Sequence, residues 1–261
     1  MRQMELRGPA EHLASLKAAF WYVFNLLQLT YTLLWTAACI TAAMVVKGVT
    51  GRRDLPLRMA SWLWAPGLLG GAGAEVVVEG ADDIDWSRPH MLVSNHQSII
   101  DICALFRAVP VPLLFLLSRE TRQWPFVGWY SKGMGMPFID RSNPRAAPAT
   151  LREAAELVRE GAQLCLFPEG TRSRDGVVAP FKAAAFQSAI DAGVDVLPVA
   201  LEGTGAVLPP QGLFAVRPGT IRVRFGKPLV TAGADAIDKR QELAARAHAD
   251  IVALLRRPPR A

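Results

Sequence analysis

The chain has 261 residues, a formal net charge of +6 at pH 7, and a composition that is 51% hydrophobic. This length allows one α/β domain with an appended segment, and the positive charge favours acidic partners such as anionic lipid headgroups, phosphorylated substrates or nucleic acid. The three cysteines show neither paired spacing nor metal-ligand spacing, which argues against a disulfide framework or a cysteine metal site. We therefore expect buried thiols on the reducing side of a membrane.

The amino-terminal segment is predicted to associate with a membrane. Residues 18–46 contain no charged side chain, a stretch long enough to span a bilayer. A second apolar stretch, residues 55–73, is interrupted by Pro66 and several glycines. Together they predict a helical hairpin that crosses the membrane or lies in its interfacial layer, and a long core helix of a soluble protein is the alternative. Basic residues after the first stretch slightly favour a cytoplasmic carboxyl side.

From residue 75 onward, short apolar runs predict strands and the amphipathic runs between them predict helices. The predicted strands are residues 75–79, 91–94, 112–117, 136–140, 163–168, 194–201 and 221–226. The predicted helices are residues 99–108, 125–132, 144–160, 182–192 and 235–255. This alternation predicts an α/β fold with a mixed, largely parallel sheet covered by helices, preceded by a membrane-embedded helical hairpin.

These patterns divide the chain into a membrane-anchoring helical segment, residues 1–74, and an α/β domain, residues 75–261. Residues 256–261 form a basic, proline-broken end that we expect to be disordered.

The first candidate site follows the predicted strand 91–94, at the kind of strand end where α/β sheets place their ligands. His96 and Asp101 are five residues apart, so they do not share a helix face, and His96 must fold back over the first helical turn to meet Asp101. An imidazole oriented by a carboxylate can accept a proton from a hydroxyl. In the alternative interpretation, Ser98 and Asp101 form an ordinary capping box and His96 is a loop residue.

Two later strand ends carry an arginine. The predicted strand 163–168 runs into a proline–glycine turn that contains Arg172 and two hydroxyl side chains, which is typical of an anion-binding loop. The alternative is a solvated surface turn. Arg141 follows the predicted strand 136–140 in a similar way, and the alternative there is a local surface pair between Asp140 and Arg141.

Four sequence blocks, taken together and in order, resemble the motifs of the glycerolipid acyltransferase family, and within it the 1-acyl-sn-glycerol-3-phosphate acyltransferases. The blocks are Asn95-His96-x-Ser98-x-x-Asp101, Gly135-x-x-Phe138-Ile139-Asp140-Arg141, Phe167-Pro168-Glu169-Gly170-Thr171-Arg172-Ser173 and Val196-Leu197-Pro198-Val199. They follow the family's order and spacing, and the similarity extends over residues 75–228. The amino-terminal segment also resembles the helical anchor of small bacterial members.

This resemblance implies a direct acyl transfer from acyl-CoA or acyl carrier protein to the hydroxyl of lysophosphatidic acid, giving phosphatidic acid without a metal or other cofactor. His96 would be the general base and Asp101 would orient it, with the substrate hydroxyl in place of a serine nucleophile. Arg141 and Arg172 would bind the acceptor phosphate. Further predicted substrate-binding residues are Arg119, Glu169, Gly170, Thr171 and Lys182. The residues 196–199 would line an apolar acyl site.

The same resemblance implies a lysophospholipid acceptor, an acyl thioester donor and membrane lipids as partners, without nucleic acid. The implied location is the cytoplasmic face of the inner membrane.

Two departures from the family pattern concern the identity of the acceptor. The family's usual lysine before the second block is replaced by Ser118-Arg119, so Arg119 is predicted to supply the cation. After the third block, Ala184 stands where the family has glycine in a lysine-x-glycine element that begins here at Lys182.

Three alternatives stay open beside this interpretation. The first is the same chemistry on glycerol 3-phosphate, a lyso-ornithine lipid or another lysolipid, and the second is a non-catalytic membrane protein that binds anionic lipid. A serine hydrolase is the third, and it is disfavoured because Ser98 lacks a Gly-x-Ser-x-Gly elbow.

Overall fold

The computed structural model describes residues 9–143, 145–211, 214–232 and 239–258, with side-chain environments from residue 15 onward. The first residues of the predicted terminal helix, 235–238, and the last three residues of the predicted tail lie outside the described residues.

The anchor begins with a single long helix, α1 (Pro9–Thr50). Its segment Ser15–Thr50 is long and apolar enough to cross a membrane, and only 17% of its most apolar 18-residue window is buried. A core helix of a soluble protein would be mostly covered, so the exposure of this surface is what a membrane-associated helix requires. This observation supports membrane association of the amino-terminal segment.

The second apolar stretch is helical, as the predicted hairpin requires, although its apolar pattern is interrupted by a proline and several glycines. Three consecutive segments cover it: α2 (Asp54–Met59), a π-helical turn (Ala60–Trp64) and α3 (Ala65–Gly71). Pro66, which has no N–H to donate, lies just after the π-helical turn, a local irregularity in the run of helix. Gly67 and Gly71 allow close packing on α1, because a Cβ atom at either position would lie within 2.4 Å of the ring of Trp35 or Tyr31. The two apolar stretches thus pack on each other as the predicted helical hairpin.

The rest of the chain forms strands and helices in alternation. The strands are β1 (Ala74–Glu79), β2 (His90–Ser94), β3 (Leu113–Phe115), β4 (Leu117–Ser118), β5 (Phe138–Ile139), β6 (Gln163–Leu166), β7 (Asp195–Glu202) and β8 (Gly219–Phe225). The helices are α4 (Asp101–Ala108), α5 (Val127–Met134), α6 (Ala147–Arg159), α7 (Gln187–Ala192), α8 (Thr204–Val207) and α9 (Arg240–Leu255). Short 3-10 helices occupy Ala81–Asp83, Arg119–Gln123 and Ala183–Phe186.

Six strands form the main sheet in the order β1-β8-β7-β2-β6-β3, and β4 pairs with β5 in a separate two-stranded sheet. Every pairing is parallel except that of β7 with β8. The mixed, largely parallel sheet covered by helices is thus confirmed. Since β8 and β1 run opposite to β2, β6 and β7, the carboxyl ends of these last three strands share one edge with the starts of β8 and β1. We call this side the upper edge of the sheet.

Most predicted elements differ from the structure by a few residues at their boundaries, and three of these differences involve other elements. The predicted strand 112–117 divides after β3, because the N–H of Leu116 bonds Cys165 while that of Leu117 bonds Pro137 of the other sheet. The predicted strand 136–140 shortens to β5, whose two residues pair with the two residues of β4. The predicted helix 182–192 starts as a 3-10 turn, in which the N–H of Ala185 bonds the carbonyl of Lys182, and becomes α-helical only at α7.

One apolar core joins the anchor to the sheet. It contains Ile40 and Ala43 of α1, Leu68 of α3 and the buried residues of β2, β6 and β7. Cys39, Cys103 and Cys165 are free and buried, as expected for structural thiols. Because residues on both sides of position 74 share this core, the division at that residue stays a prediction.

Gly203, which ends β7 at the upper edge, provides a test of this packing. It has φ 87°, and a Cβ atom there would lie 2.2 Å from the carbonyl oxygen of Thr220. Gly176 has a similar φ of 80° but open space around it. Gly176→Ala should lower the free energy of unfolding by about 1 kcal/mol through the left-handed backbone alone. Gly203→Ala should cost about 1–3 kcal/mol more, because the added methyl group overpacks the contact.

Chemical denaturation of both variants in the same detergent measures the difference. Equal destabilisation of the two would contradict the close approach of Gly203 to β8.

Candidate active site

The upper edge brings His96 and Asp101 together. His96 follows β2 and precedes α4, and its Nδ1 lies 2.7 Å from Oδ2 of Asp101, the first residue of α4. Asp101 is fully buried and the His96 side chain is 15% exposed. The expectation that His96 must lie outside the helix and fold back over its first turn is therefore confirmed. Because a carboxylate oxygen accepts hydrogen bonds, Nδ1 is assigned the proton, and Nε2 keeps a lone pair that can accept one.

The capping role of Asp101 is real and does not compete with this contact. Its Oδ2 also accepts the backbone N–H groups of Gln97 at 2.8 Å and Ser98 at 3.0 Å. The same oxygen thus closes the first turn of α4 and holds the imidazole. One half of the predicted capping box, the bond from Ser98 N–H to Asp101, thus coexists with the histidine–carboxylate pair, while the Ser98 hydroxyl donates to the carbonyl of Leu208.

Glu169 supports His96 from the neighbouring loop. One carboxylate oxygen accepts the backbone N–H of His96 at 2.7 Å and the other accepts that of Ala179 at 2.9 Å. The side chain is almost fully buried, and burial raises the pKa of this carboxyl even though both backbone donors act to lower it. A further backbone bond, from Ser173 N–H to the His96 carbonyl at 2.7 Å, fastens the same two loops. Glu169 therefore orients the loop of His96, a structural contact in addition to its predicted place in the acceptor pocket.

Phe167 and Asn95 were members of the recognised blocks without an assigned role. The ring of Phe167 stacks on the imidazole of His96, with centroids 4.0 Å apart and an angle of 16° between the planes. The side-chain amide of Asn95 accepts the N–H and donates to the carbonyl of Leu201 in β7, both at 2.8 Å. Phe167 limits the movement of the imidazole, and Asn95 ties the end of β2 to β7.

The predicted cationic residues occupy different settings. Arg119 is ion-paired with Asp140 across the small sheet, so the alternative of a local Asp140–Arg141 pair is wrong. Arg141 is exposed and interacts electrostatically with Glu120. Arg172 is exposed in the loop after β6 and has no ion-pair partner in the described part of the chain.

The remaining predicted residues belong to that loop and its neighbour. Gly170 adopts φ 77°, and a Cβ atom there would lie 2.5 Å from Nζ of Lys182, so the absence of a side chain makes room for the ammonium group. Thr171 is exposed beside Arg172. The structure thus gathers His96, Asp101 and Glu169 into one hydrogen-bonded unit and places Lys182 beside Gly170, one residue after Glu169. The phosphate-binding roles of the arginines stay predictions.

Comparison with known proteins identifies a family of similar sequences. Residues 75–202 match the family model described as Acyltransferase. A chloroplastic 1-acyl-sn-glycerol-3-phosphate acyltransferase of Brassica napus is 36% identical over 161 residues, which cover 61% of this chain and 46% of that protein. The Saccharomyces cerevisiae 1-acyl-sn-glycerol-3-phosphate acyltransferase is 33% identical over 163 residues, 61% of this chain and 53% of that protein. The chain spans about half the length of these curated relatives.

Similarity to a solved structure extends over nearly the whole chain. The crystal structure of the 1-acyl-sn-glycerophosphate acyltransferase from Thermotoga maritima superposes with a TM-score of 0.76 at 25% sequence identity. The match covers 93% of this chain and 99% of that one, so it includes the helical anchor as well as the sheet.

The two backbone bonds to Glu169 predict the effect of an isosteric change. In Glu169→Gln the amide NH2 group cannot accept, so one buried backbone N–H loses its partner, and we expect the free energy of unfolding to fall by about 1–3 kcal/mol. Glu153→Gln, on the exposed face of α6, is the matched control and should stay within about 0.5 kcal/mol of the unaltered protein. Denaturant titration of both variants measures this difference, and a neutral Glu169→Gln would refute the double-acceptor role.

Proposed function

Residues 75–202 belong to the acyltransferase family, and from this premise we propose that the protein acylates the free hydroxyl of 1-acyl-sn-glycerol 3-phosphate to give phosphatidic acid. The observation that carries the proposal is the 2.7 Å contact between His96 Nδ1 and the buried Asp101, which leaves Nε2 as a proton acceptor. The relatives whose names specify this reaction support the choice of acceptor.

His96 would act as general base in a single transfer. The acceptor hydroxyl gives its proton to Nε2 as its oxygen attacks the thioester carbonyl. The tetrahedral intermediate then forms the ester as the carbon–sulfur bond breaks, and the leaving thiolate recovers the proton from the imidazolium. Asp101 stabilises the transient positive charge on His96 and fixes the ring orientation. No covalent enzyme intermediate is required.

The other predicted residues would bind the two substrates. Arg141 and Arg172 provide planar guanidinium groups suited to bidentate contacts with a phosphate, and Arg172 in particular is exposed and without an ion-pair partner in the described chain. The thioester donor would be acyl-CoA or acyl carrier protein. Glu169 would act through the backbone of His96.

We further propose a location on the cytoplasmic face of the inner membrane. The apolar helix α1 provides the membrane segment, and the basic residues Lys47, Arg52, Arg53 and Arg58 follow or close it. A soluble thioester and a membrane-borne acceptor could then meet at the upper edge of the sheet.

The first experiment is a thiol-release assay on detergent-purified protein with palmitoyl-CoA and lysophosphatidic acid. His96→Ala should lower the turnover rate by about 10²–10⁴-fold, because it removes the general base. Asp83→Asn, an exposed aspartate beyond the other edge of the sheet, is the control and should retain the rate. Release that requires lysophosphatidic acid and disappears in His96→Ala supports the proposal.

Other outcomes select among the alternatives. Activity only with glycerol 3-phosphate, a lyso-ornithine lipid or another lysolipid would keep the chemistry and change the acceptor. If no thiol is released with any acceptor and with either donor type, the result would favour a non-catalytic protein that binds anionic lipid.

A second experiment tests the phosphate contact. Arg172→Ala should raise the KM for lysophosphatidic acid by about 10-fold or more, since a charge-assisted hydrogen bond is lost. Activity on a monoacylglycerol, which lacks the phosphate, should change little. Arg174→Ala removes an equally exposed arginine two residues later and should leave both activities near their original values. Equal effects of the two variants would argue that Arg172 contributes only general surface charge.

A further inference from the structure

Outside α1, two tryptophans of the α/β domain are exposed close together in sequence. Trp124 is 45% exposed and Trp129 is 58% exposed, with the ring of Phe126 packed 5.1 Å from that of Trp129. We propose that these three side chains, which we call the aromatic surface, form a second contact with the lipid bilayer. This contact would hold the upper edge of the sheet close to the lipid headgroups.

The aromatic surface lies on a turn that is held in an unfavourable backbone conformation. Phe126 has φ 58° and ψ −59°, and it is the only non-glycine residue with positive φ in the described ranges. Such a conformation costs free energy and persists only where the surroundings enforce it. It is enforced here, because the N–H of Gly128 bonds Trp124 at 2.9 Å and the N–H of Tyr130 bonds Phe126 at 2.8 Å.

Gly128 closes the turn further. Its Cα packs against the carbonyl oxygen of Arg122 so closely that a Cβ atom would lie 2.3 Å from it. The turn is therefore a rigid, strained element that holds two indole rings in solvent. Exposed aromatic side chains on a rigid turn are typical of a surface that contacts a partner.

The topology brings the chain to the aromatic surface from the upper edge, the edge that carries His96. β3 is parallel to β2 through β6, so the chain leaves β3 at the upper edge and reaches Trp124 after β4 and one 3-10 helix. The start of α1 extends beyond this edge as well. Asn25 accepts the N–H of Val216, just before β8 begins at the upper edge, and residues 15–23 ahead of it are all exposed.

These positions favour a bilayer as the partner. The start of α1, the loop of His96 and the turn that begins the aromatic surface all lie toward the upper edge, so one bilayer surface can contact all three. Tryptophan prefers the headgroup layer because the indole has an apolar body and a polar N–H. Arg122 and Lys132 are exposed beside the aromatic surface and complement anionic headgroups.

The consequence for acyl transfer rests on the proposed function. If the upper edge is seated on the bilayer, a lysophospholipid can reach His96 while its chain stays among the lipids. Because α1 is packed on the domain, its contact with the bilayer leaves only rotation of the protein about the helix axis, and a second contact away from that axis would fix this rotation as well.

Spin labelling of the full chain tests the surface without any activity. Trp129→Cys and Asp83→Cys are each labelled with a nitroxide and reconstituted in phosphatidylcholine–phosphatidylglycerol vesicles; the native cysteines are buried. Asp83 is exposed after β1, at the opposite edge of the sheet. For each label, the measured quantity is the collision rate with oxygen divided by the collision rate with a water-soluble nickel chelate. This ratio should be at least threefold higher at position 129 than at position 83. Equal ratios at the two positions would overturn the proposal.

Kinetics provide a separate test. The double variant Trp124→Ser/Trp129→Ser should raise the apparent KM for a vesicle-borne acceptor at least fivefold, and leave that for a short-chain, water-soluble acceptor unchanged. Trp124→Tyr/Trp129→Tyr, which keeps interfacial aromatic rings, should recover most of the loss. Equal loss with both acceptors would overturn the proposal by showing a local structural effect. If the unaltered protein transfers no acyl chain, the proposed function fails, while the spin-label ratios still decide the aromatic surface.

Discussion

Asp101 Oδ2 accepts three hydrogen bonds, from the His96 ring and from the backbone N–H groups of Gln97 and Ser98, and the geometry of the site depends on this one buried oxygen. The cap that starts α4 and the contact that orients the imidazole cannot vary independently. A loop histidine is ordinarily free to change rotamer, but here its tautomer and direction follow from the start of a helix. Such coupling holds a proton acceptor in place before any substrate binds.

The rest of the site reinforces that arrangement from neighbouring strands. Phe167 and Glu169, both beyond the end of β6, stack on the imidazole and accept the His96 backbone N–H. Asn95 and Ser98 connect the same loop to Leu201 and Leu208, at and beyond the end of β7. The carboxyl ends of three adjacent parallel strands thus lie side by side around His96. The parallel pairing of β6, β2 and β7 is the reason that residues more than 70 positions apart can support one ring.

The anchor is part of the domain and not a flexible tether. Gly67 and Gly71 let α3 pack directly on the rings of Trp35 and Tyr31, and Ile40 joins the core beneath the sheet. The carboxyl half of α1 is thereby fixed to the protein, while its start is exposed beyond the upper edge. The structure thus fixes an apolar helix relative to the edge that carries His96, as the proposed function requires.

Local patterns in the sequence were sufficient for the main features of this protein. Apolar runs and their spacing predicted the order of strands and helices and the long apolar helix, because periodicity reports on the immediate backbone conformation. The five-residue separation of His96 and Asp101 predicted that the histidine lies outside α4. The tertiary structure decided what depends on contacts between distant residues: the stacking of Phe167, the backbone role of Glu169, and the pairing of Asp140 with Arg119. It also decided that α2, the π-helical turn and α3 follow one another without a break, and Gly67 and Gly71 are explained by the rings they pack against and not by their own conformational preference. No local pattern specifies which distant strand end or ring a residue will meet, so these contacts became visible only in the folded chain.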